Sequence, residues 1–222
     1  MEVWIWIAVI LGGYLFGGVM FCRLIPLITV KKDICKLTEE GNPGAFSVFS
    51  VCGPVLGMIC LLLDMFKGFL PVFLGAMFLD SGNMLFAAVV AAPVLGHATG
   101  VFNHFRGGKC IATSFGVMLG LLPLTWVGWI LAVVYILFST IVKINPHRRR
   151  SVLAFIIFGA LSCIILIFGK QYSVAIGCLL LSVIAIVRLG RSPSSDEIAQ
   201  PQTQNDLQED DESVTADSDV SR

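Results

Sequence analysis

Charge is scarce in this chain: Asp, Glu, Lys and Arg together make up 14% of 222 residues, while hydrophobic residues reach 56%. A soluble domain carries about 25% charged and roughly 45–50% apolar residues, so the shortage excludes an ordinary water-soluble globule. Any CxxC pair is also absent. The seven cysteines, at 22, 35, 52, 60, 110, 163 and 178, mostly lie in apolar runs, where Cys acts as a small hydrophobe. No disulfide framework or zinc site follows from that spacing. A basic stretch ahead of the first apolar run is missing as well. The chain begins Met1-Glu2 and has no small-residue cleavage site before Arg23, so this run is expected to stay as a membrane span rather than be removed as a signal peptide.

What is present is a series of long apolar segments. Residues 3–22 contain no charge, and twenty residues at 1.5 Å each match the roughly 30 Å of bilayer hydrocarbon. Further stretches cover 51–79, 84–102, 111–122, 125–143, 151–168 and 171–188. The expectation is an all-α integral membrane protein with about seven transmembrane helices. The stretch 111–122 is short and 51–79 is long and holds Asp64 and Lys67, so a five-span arrangement with one re-entrant stretch is the other solution. Orientation follows from the cations, because cytoplasmic loops collect Lys and Arg. Arg23, Lys31, Lys32, Lys36, Arg106, Lys109, His147 to Arg150 and Arg191 fall on one side, and the opposite breaks hold only Lys170. This predicts the N-terminus outside and the C-terminus in the cytoplasm.

A net charge of zero hides two regions of opposite sign. Residues 1–189, the membrane body, hold thirteen Lys/Arg against six Asp/Glu, and residues 190–222 hold two against nine. The latter are also poor in large apolar residues and are expected to form an acidic, disordered cytoplasmic tail. Glycines four apart, at 13/17, 53/57, 96/100 and 116/120, predict close helix approach.

Polar residues that interrupt an apolar pattern are the places to look for chemistry, and three clusters do so. In the loop 33–48, Gly41-Asn42-Pro43-Gly44 prescribes a tight turn before a helix. It reads either as a capped entry to a span or as backbone amides able to hold an anion. Asp64 and Lys67 stand three apart on one helix face, the spacing of an ion pair. Gly68 and Pro71 are expected to break that helix and turn Lys67 toward an aqueous pocket. In the third cluster, Gly96-His97 precedes Arg106-Gly107-Gly108-Lys109 and a new apolar helix with Ala112-Thr113. Two cations and two unobstructed amides at a helix start suit phosphate; cations that only enforce topology are the simpler account.

These three clusters, in order and spacing, resemble the motifs of the bacterial glycerol-3-phosphate acyltransferases of the PlsY family. Gly96-His97 with Phe102, Phe105, Arg106 to Lys109 and Ala112-Thr113 is similar to GHxFxxFxxFKGGKGVAT. Asp64 to Val72 is similar to DxxKGxxPV, and Gly41 to Ala45 with Val48 to SGNxGATNVxR. The resemblance implies transfer of a fatty acyl group from acyl-phosphate to glycerol 3-phosphate, giving lysophosphatidic acid for phospholipid synthesis. It implies a monomer in the bacterial cell membrane, a cytoplasmic active face, the lipid bilayer as surroundings, and neither cofactor, metal nor nucleic acid. His97 and Lys109 would be catalytic. Gly41, Asn42, Gly44, Lys67, Arg106, Gly107, Gly108 and Thr113 would bind substrate phosphate.

Departures from the family pattern fall on Glu40, Ser47, Ser50 and Cys110, where Ser, Asn, Arg and Gly are expected. A glutamate in place of a phosphate-binding serine repels a dianion. The last helix offers only Val187-Arg188-Leu189-Gly190 of a motif resembling HRxNIxRLxxGxE. The alternative is therefore a PlsY-like paralogue with lost or altered acceptor specificity that binds lipid or acyl-phosphate. A transporter fits less well, since no inverted repeat is visible and the ionisable groups gather at one face.

Overall fold

A computed structural model describes residues 3–38, 41–142, 144–145 and 147–191. Among these residues it contains ten helices and no strand: α1 (Val3–Gly18), α2 (Phe21–Thr29), α3 (Ile34–Leu37), α4 (Ala45–Cys52), α5 (Pro54–Phe78), α6 (Phe86–Thr99), α7 (Ile111–Gly120), α8 (Gly128–Thr140), α9 (His147–Phe168) and α10 (Tyr172–Gly190). Glu40 and all but the first two residues of the acidic segment 190–222 lie outside the described residues.

Every apolar stretch carries a helix, but their lengths differ. By length and composition α5, α9 and α10, at 25, 22 and 19 residues, are able to cross a membrane, and α1 with α2 qualifies as one pair bent by 49°. The helices α6, α7 and α8 have 14, 10 and 13 residues. At 1.5 Å per residue even the longest of these three rises only about 21 Å.

Two segments expected to be continuous are broken. The run 3–22 stops at Gly18 and resumes, bent, at Phe21. The run 51–79 breaks at Gly53, whose φ of 87° interrupts α4, while Pro54 starts α5; proline lacks the N–H needed inside a helix but suits its first position. By contrast, α5 continues through both Gly68 and Pro71.

The outer surface is apolar: Phe168 is 85% exposed, and Trp4, Val55, Phe78, Trp126 and Ile141 are also largely bare. Such a surface is unfavourable in water and natural in lipid. With no hydrophobic drive between helices in lipid, close contact depends on small residues. A Cβ on Gly17 would lie 2.1 Å from the Pro93 carbonyl oxygen, and one on Gly96 would lie 1.9 Å from that of Tyr14; backbones of α1 and α6 therefore touch. In the same way a Cβ on Gly68 would lie 2.2 Å from Thr113 O and one on Gly116 would lie 1.9 Å from Met65 O, so α5 and α7 also touch through their backbones. Gly177 of α10 packs on Val90 of α6, placing the mostly buried α6 between α1 and α10. The glycine pairs thus divide: Gly53 and Gly100 are helix caps with positive φ, and Gly57 accommodates the Phe49 ring.

Candidate functional site

The segment joining α6 to α7 has an unusual backbone. Gly100 caps α6 in the left-handed region, and His104, Phe105 and Cys110 follow with φ of 52°, 58° and 65°. Side chains rarely adopt this conformation, which costs about 1–3 kcal/mol at each such residue. The surrounding structure enforces it. Buried Asn103 donates from its backbone to Gly100 O (2.7 Å) and from Nδ2 to Arg106 O (2.6 Å), while its Oδ1 accepts from Arg23 Nη1. Gly108 N donates to His97 O at 3.1 Å. From α10, Arg188 donates through Nε to Gly108 O at 3.2 Å and through Nη2 to Gly107 O.

Both glycines of the Arg-Gly-Gly-Lys run are sterically required. A Cβ at 107 would fall 2.0 Å from Ala98 O, and one at 108 would fall 2.3 Å from His97 Nε2. The loop is therefore pressed onto the end of α6 and the Nε2 edge of the His97 ring. Arg106 is exposed and Lys109 half-buried beside it. His97 is 3% exposed, and its Nδ1 is a buried atom with no hydrogen-bond partner among the described residues. The hydroxyls of Thr113 and Ser114, at the start of α7, share that condition. Buried polar atoms of this kind are uncommon in folded proteins.

Lys67 is fully buried, contrary to the expected turn toward water. Its ammonium pairs with Asp64 Oδ1 at 2.7 Å, donates to Val19 O at 2.5 Å and lies 5.7 Å from the centre of the Phe21 ring. Asp64 Oδ2 accepts from the Cys22 thiol at 3.1 Å. The i,i+3 ion pair is thus present. Its physical purpose is visible at the α1–α2 break, where the Val19 carbonyl has left the helical ladder and needs a donor.

Nearer the surface, Arg23 forms a two-pronged bond to Asp33, at 3.0 Å from Nε and 2.8 Å from Nη2. That guanidinium holds the Asp33 carboxyl below the usual carboxylate range. Asp33 also accepts from Cys35 N and so caps α3. Burial pushes the Cys35 thiol up, against the charges of Arg23 and Arg106, which places Arg106 within electrostatic reach of this loop. The Gly41–Gly44 segment forms a turn before α4, whose N-cap Gly44 has no side-chain cap: Gly41 N donates to Thr38 O (2.9 Å), and the Asn42 carbonyl accepts from Gly44 N (2.8 Å) and Ser47 Oγ (3.0 Å). The amides of Gly41, Gly44 and Gly108 are therefore already engaged within the protein.

His97, Gly107 and Gly108 are in direct contact, with Arg106 and Lys109 flanking them and Thr113 one turn into α7. Gly68, the residue after Lys67, packs against the Thr113 carbonyl, while the Lys67 ammonium is turned to Asp64 and Val19 O. Three contributors were not singled out from the sequence as site residues: Arg23, Asn103 and Arg188. Each is separated by 80 or 81 positions from the partner it binds across the loop. For Arg188 the sequence held two hints, a cation in the last turn of an apolar helix and its place in Val187-Arg188-Leu189-Gly190, the part of the last-helix motif that this chain keeps.

Comparison with known proteins agrees with this architecture. The family model for glycerol-3-phosphate acyltransferase matches residues 7–192. A glycerol-3-phosphate acyltransferase of Thermotoga petrophila is 34% identical over 185 residues, covering 82% of this chain and 88% of that protein. Glycerol-3-phosphate acyltransferase 2 of Thermotoga maritima has the same identity and coverage. In fold, the chain is similar to the crystal structure of PlsY (YgiH), an integral membrane glycerol 3-phosphate acyltransferase, in its glycerol 3-phosphate form. The TM-score is 0.70 at 23% identity, covering 85% of this chain and 94% of that one. Family match, relatives and fold converge with the loop geometry: the chain belongs to the glycerol-3-phosphate acyltransferase family, membrane acyltransferases of phospholipid synthesis.

Proposed function

We propose that this protein transfers a fatty acyl group from acyl-phosphate to the 1-hydroxyl of glycerol 3-phosphate, yielding lysophosphatidic acid and inorganic phosphate at the cytoplasmic face of the bacterial cell membrane. The observation that carries the reading is the loop 100–110. It is held in a costly conformation by three separate elements, and it carries Arg106 and Lys109 next to buried His97.

Both substrates are anionic, and no covalent acyl-enzyme is needed. The hydroxyl oxygen attacks the acyl carbonyl carbon, the bond from that carbon to the phosphate oxygen breaks, and the hydroxyl proton ends on the departing phosphate. The protein lowers the barrier by positioning and charge neutralisation. Lys109 and Arg106 hold phosphate. His97 shapes the pocket or relays the proton through its imidazole, and Thr113 presents a hydroxyl. Lys67, its charge offset by Asp64, supports the site by holding the α1–α2 break against α5. The Gly41-Asn42-Gly44 turn and the Gly107-Gly108 backbone set the width of the site. The acyl chain enters from lipid, the other substrate from the cytoplasm, and no cofactor takes part. In this reading the body, residues 1–189, is a monomer that crosses the bilayer seven times with its N-terminus outside. Residues 190–222 form its cytoplasmic tail.

Purified protein in lipid, given acyl-phosphate and glycerol 3-phosphate, is expected to release phosphate and lysophosphatidic acid. Lys109→Ala is expected to lower kcat/KM by a hundredfold or more, the order for a lost electrostatic contact to the reacting centre, about 10²–10³. No turnover, or an unaffected Lys109→Ala variant, would sink the assignment.

Altered acceptor specificity is the second reading, favoured by the local engagement of two hydroxyls. Ser47 Oγ bonds Asn42 O, and exposed Ser50 Oγ bonds Phe46 O at 3.1 Å. It predicts that Glu40→Ser with Ser50→Arg creates or raises activity toward glycerol 3-phosphate. Unchanged inactivity counts against it.

A further inference from the structure

We propose that Arg188, at the end of α10, is a positioning residue that sets the orientation of the phosphate loop by clamping both of its glycine carbonyls. The proposal rests on the acyl-transfer reading above only for its kinetic part. Its geometric part stands on two hydrogen bonds, from Nε to Gly108 O and from Nη2 to Gly107 O.

Those bonds have a directional consequence. In a trans peptide the N–H points opposite to the C=O of the same unit. With the Gly107 carbonyl drawn to Arg188, the Gly108 N–H is turned the other way, and there it meets His97 O at 3.1 Å. With the Gly108 carbonyl drawn to Arg188 as well, the Lys109 N–H is likewise directed away from α10. One guanidinium thus fixes two consecutive peptide planes directly before Lys109. Glycine at 107 and 108 leaves these planes intrinsically free, and the steric tests above forbid a side chain that could restrain them. The Gly108 N–H bond to His97 O and a long contact from Cys110 Sγ to Gly108 O at 3.5 Å restrain them in part; Arg188 is the group that reaches both carbonyls at once.

A lysine cannot replace it. The planar guanidinium has donors spaced to reach two neighbouring acceptors, whereas an ammonium is a compact point charge. The same distinction separates positioning from mere electrostatic help. If Arg188 acts by charge, Arg188→Lys preserves function. If it acts by geometry, Arg188→Lys fails as badly as Arg188→Met.

Two measurements on the full-length protein in lipid test this. In hydrogen–deuterium exchange, peptides covering 100–110 are expected to exchange at least about tenfold faster in both Arg188→Lys and Arg188→Met, while peptides of α9 are unchanged. In steady-state kinetics both variants are expected to raise KM for glycerol 3-phosphate about tenfold with kcat within about threefold. Arg148→Met serves as the control, since Arg148 donates to Gly190 O at the same helix end; it is expected to alter neither readout. Unaltered exchange in the loop overturns the clamp, whatever the activity. Wild-type KM in Arg188→Lys overturns it in favour of charge. Faster loop exchange in a protein that lacks wild-type acyl transfer leaves the clamp standing and removes the functional reading instead.

Discussion

Two ion pairs hold the region around the candidate site, and they act in different media. Lys67 and Asp64 have side chains 0% and 3% exposed, whereas Arg23 and Asp33 are 26% and 15% exposed. The inner pair is local along α5 and is aimed at a backbone defect, the Val19 carbonyl released where α1 breaks. The outer pair joins α2 to the cap of α3 and, through Asn103, to the segment between α6 and α7. Burial makes the inner pair a requirement: each charge has been removed from water and depends on the other. The outer pair keeps partial solvation and contributes less. One pair therefore maintains a break in a membrane helix, and the other sets the relation between two loops.

The comparison is broken most directly at Lys67. Lys67→Met leaves a buried carboxylate without its counter-charge, and a loss of about 3–5 kcal/mol in unfolding stability is expected. Adding Asp64→Asn should restore part of it. A loss below about 1 kcal/mol, or no recovery in the double variant, would show that the pair does not carry the break.

A smaller effect is expected at the junction of the two regions. Gly107→Ala forces a Cβ against the Ala98 carbonyl, and overpacking of this kind costs about 1–3 kcal/mol. Because the loop carries Arg106 and Lys109, turnover should fall further than stability does. Equal or greater damage to global unfolding, with normal kinetics at low temperature, would assign Gly107 to packing alone.

The outer pair should respond least, and in a pH-dependent way. Asp33→Asn is expected to cost roughly 1 kcal/mol at neutral pH. Arg23 depresses the Asp33 carboxyl in the folded state, so the stabilisation is complete above the unfolded value of about 3.9. It is lost as pH falls through the lower folded value. The gap between the parent and Asp33→Asn should be constant from neutral pH to about pH 5 and close below about pH 4. A gap that widens on acidification would contradict the sign.

Much of this arrangement was legible before any coordinates. The runs 151–168 and 171–188 became α9 and α10 with ends shifted by a few residues, because a long uncharged segment in lipid has few alternatives to a helix. The Asp64–Lys67 pair was visible from i,i+3 spacing, and the Gly41–Gly44 turn from its turn chemistry. Harder to see was the break after Gly18. Nothing local requires it as Pro54 requires a new helix after Gly53. Stabilisation of the freed Val19 carbonyl comes from Lys67, 48 positions away. The same applies to the paired glycines. Gly107-Gly108 read from the sequence as amides open to phosphate; in the structure the Gly108 amide donates to His97 O, and the need for glycine arises from the approach of Ala98 O and His97 Nε2.

The sequence by itself determined the apolar helices, the sequestering of most cations into a few breaks, and the ordered motifs that identify the family. These depend on composition and short-range spacing, which act within one or two helical turns. Tertiary structure alone decided that the first apolar run breaks after Gly18, that Lys67 points into the protein rather than toward water, and that Arg188 reaches the loop before Lys109. Each of those depends on which backbone carbonyl, from a distant part of the chain, presents itself to a buried cation, and only the packed bundle can specify that.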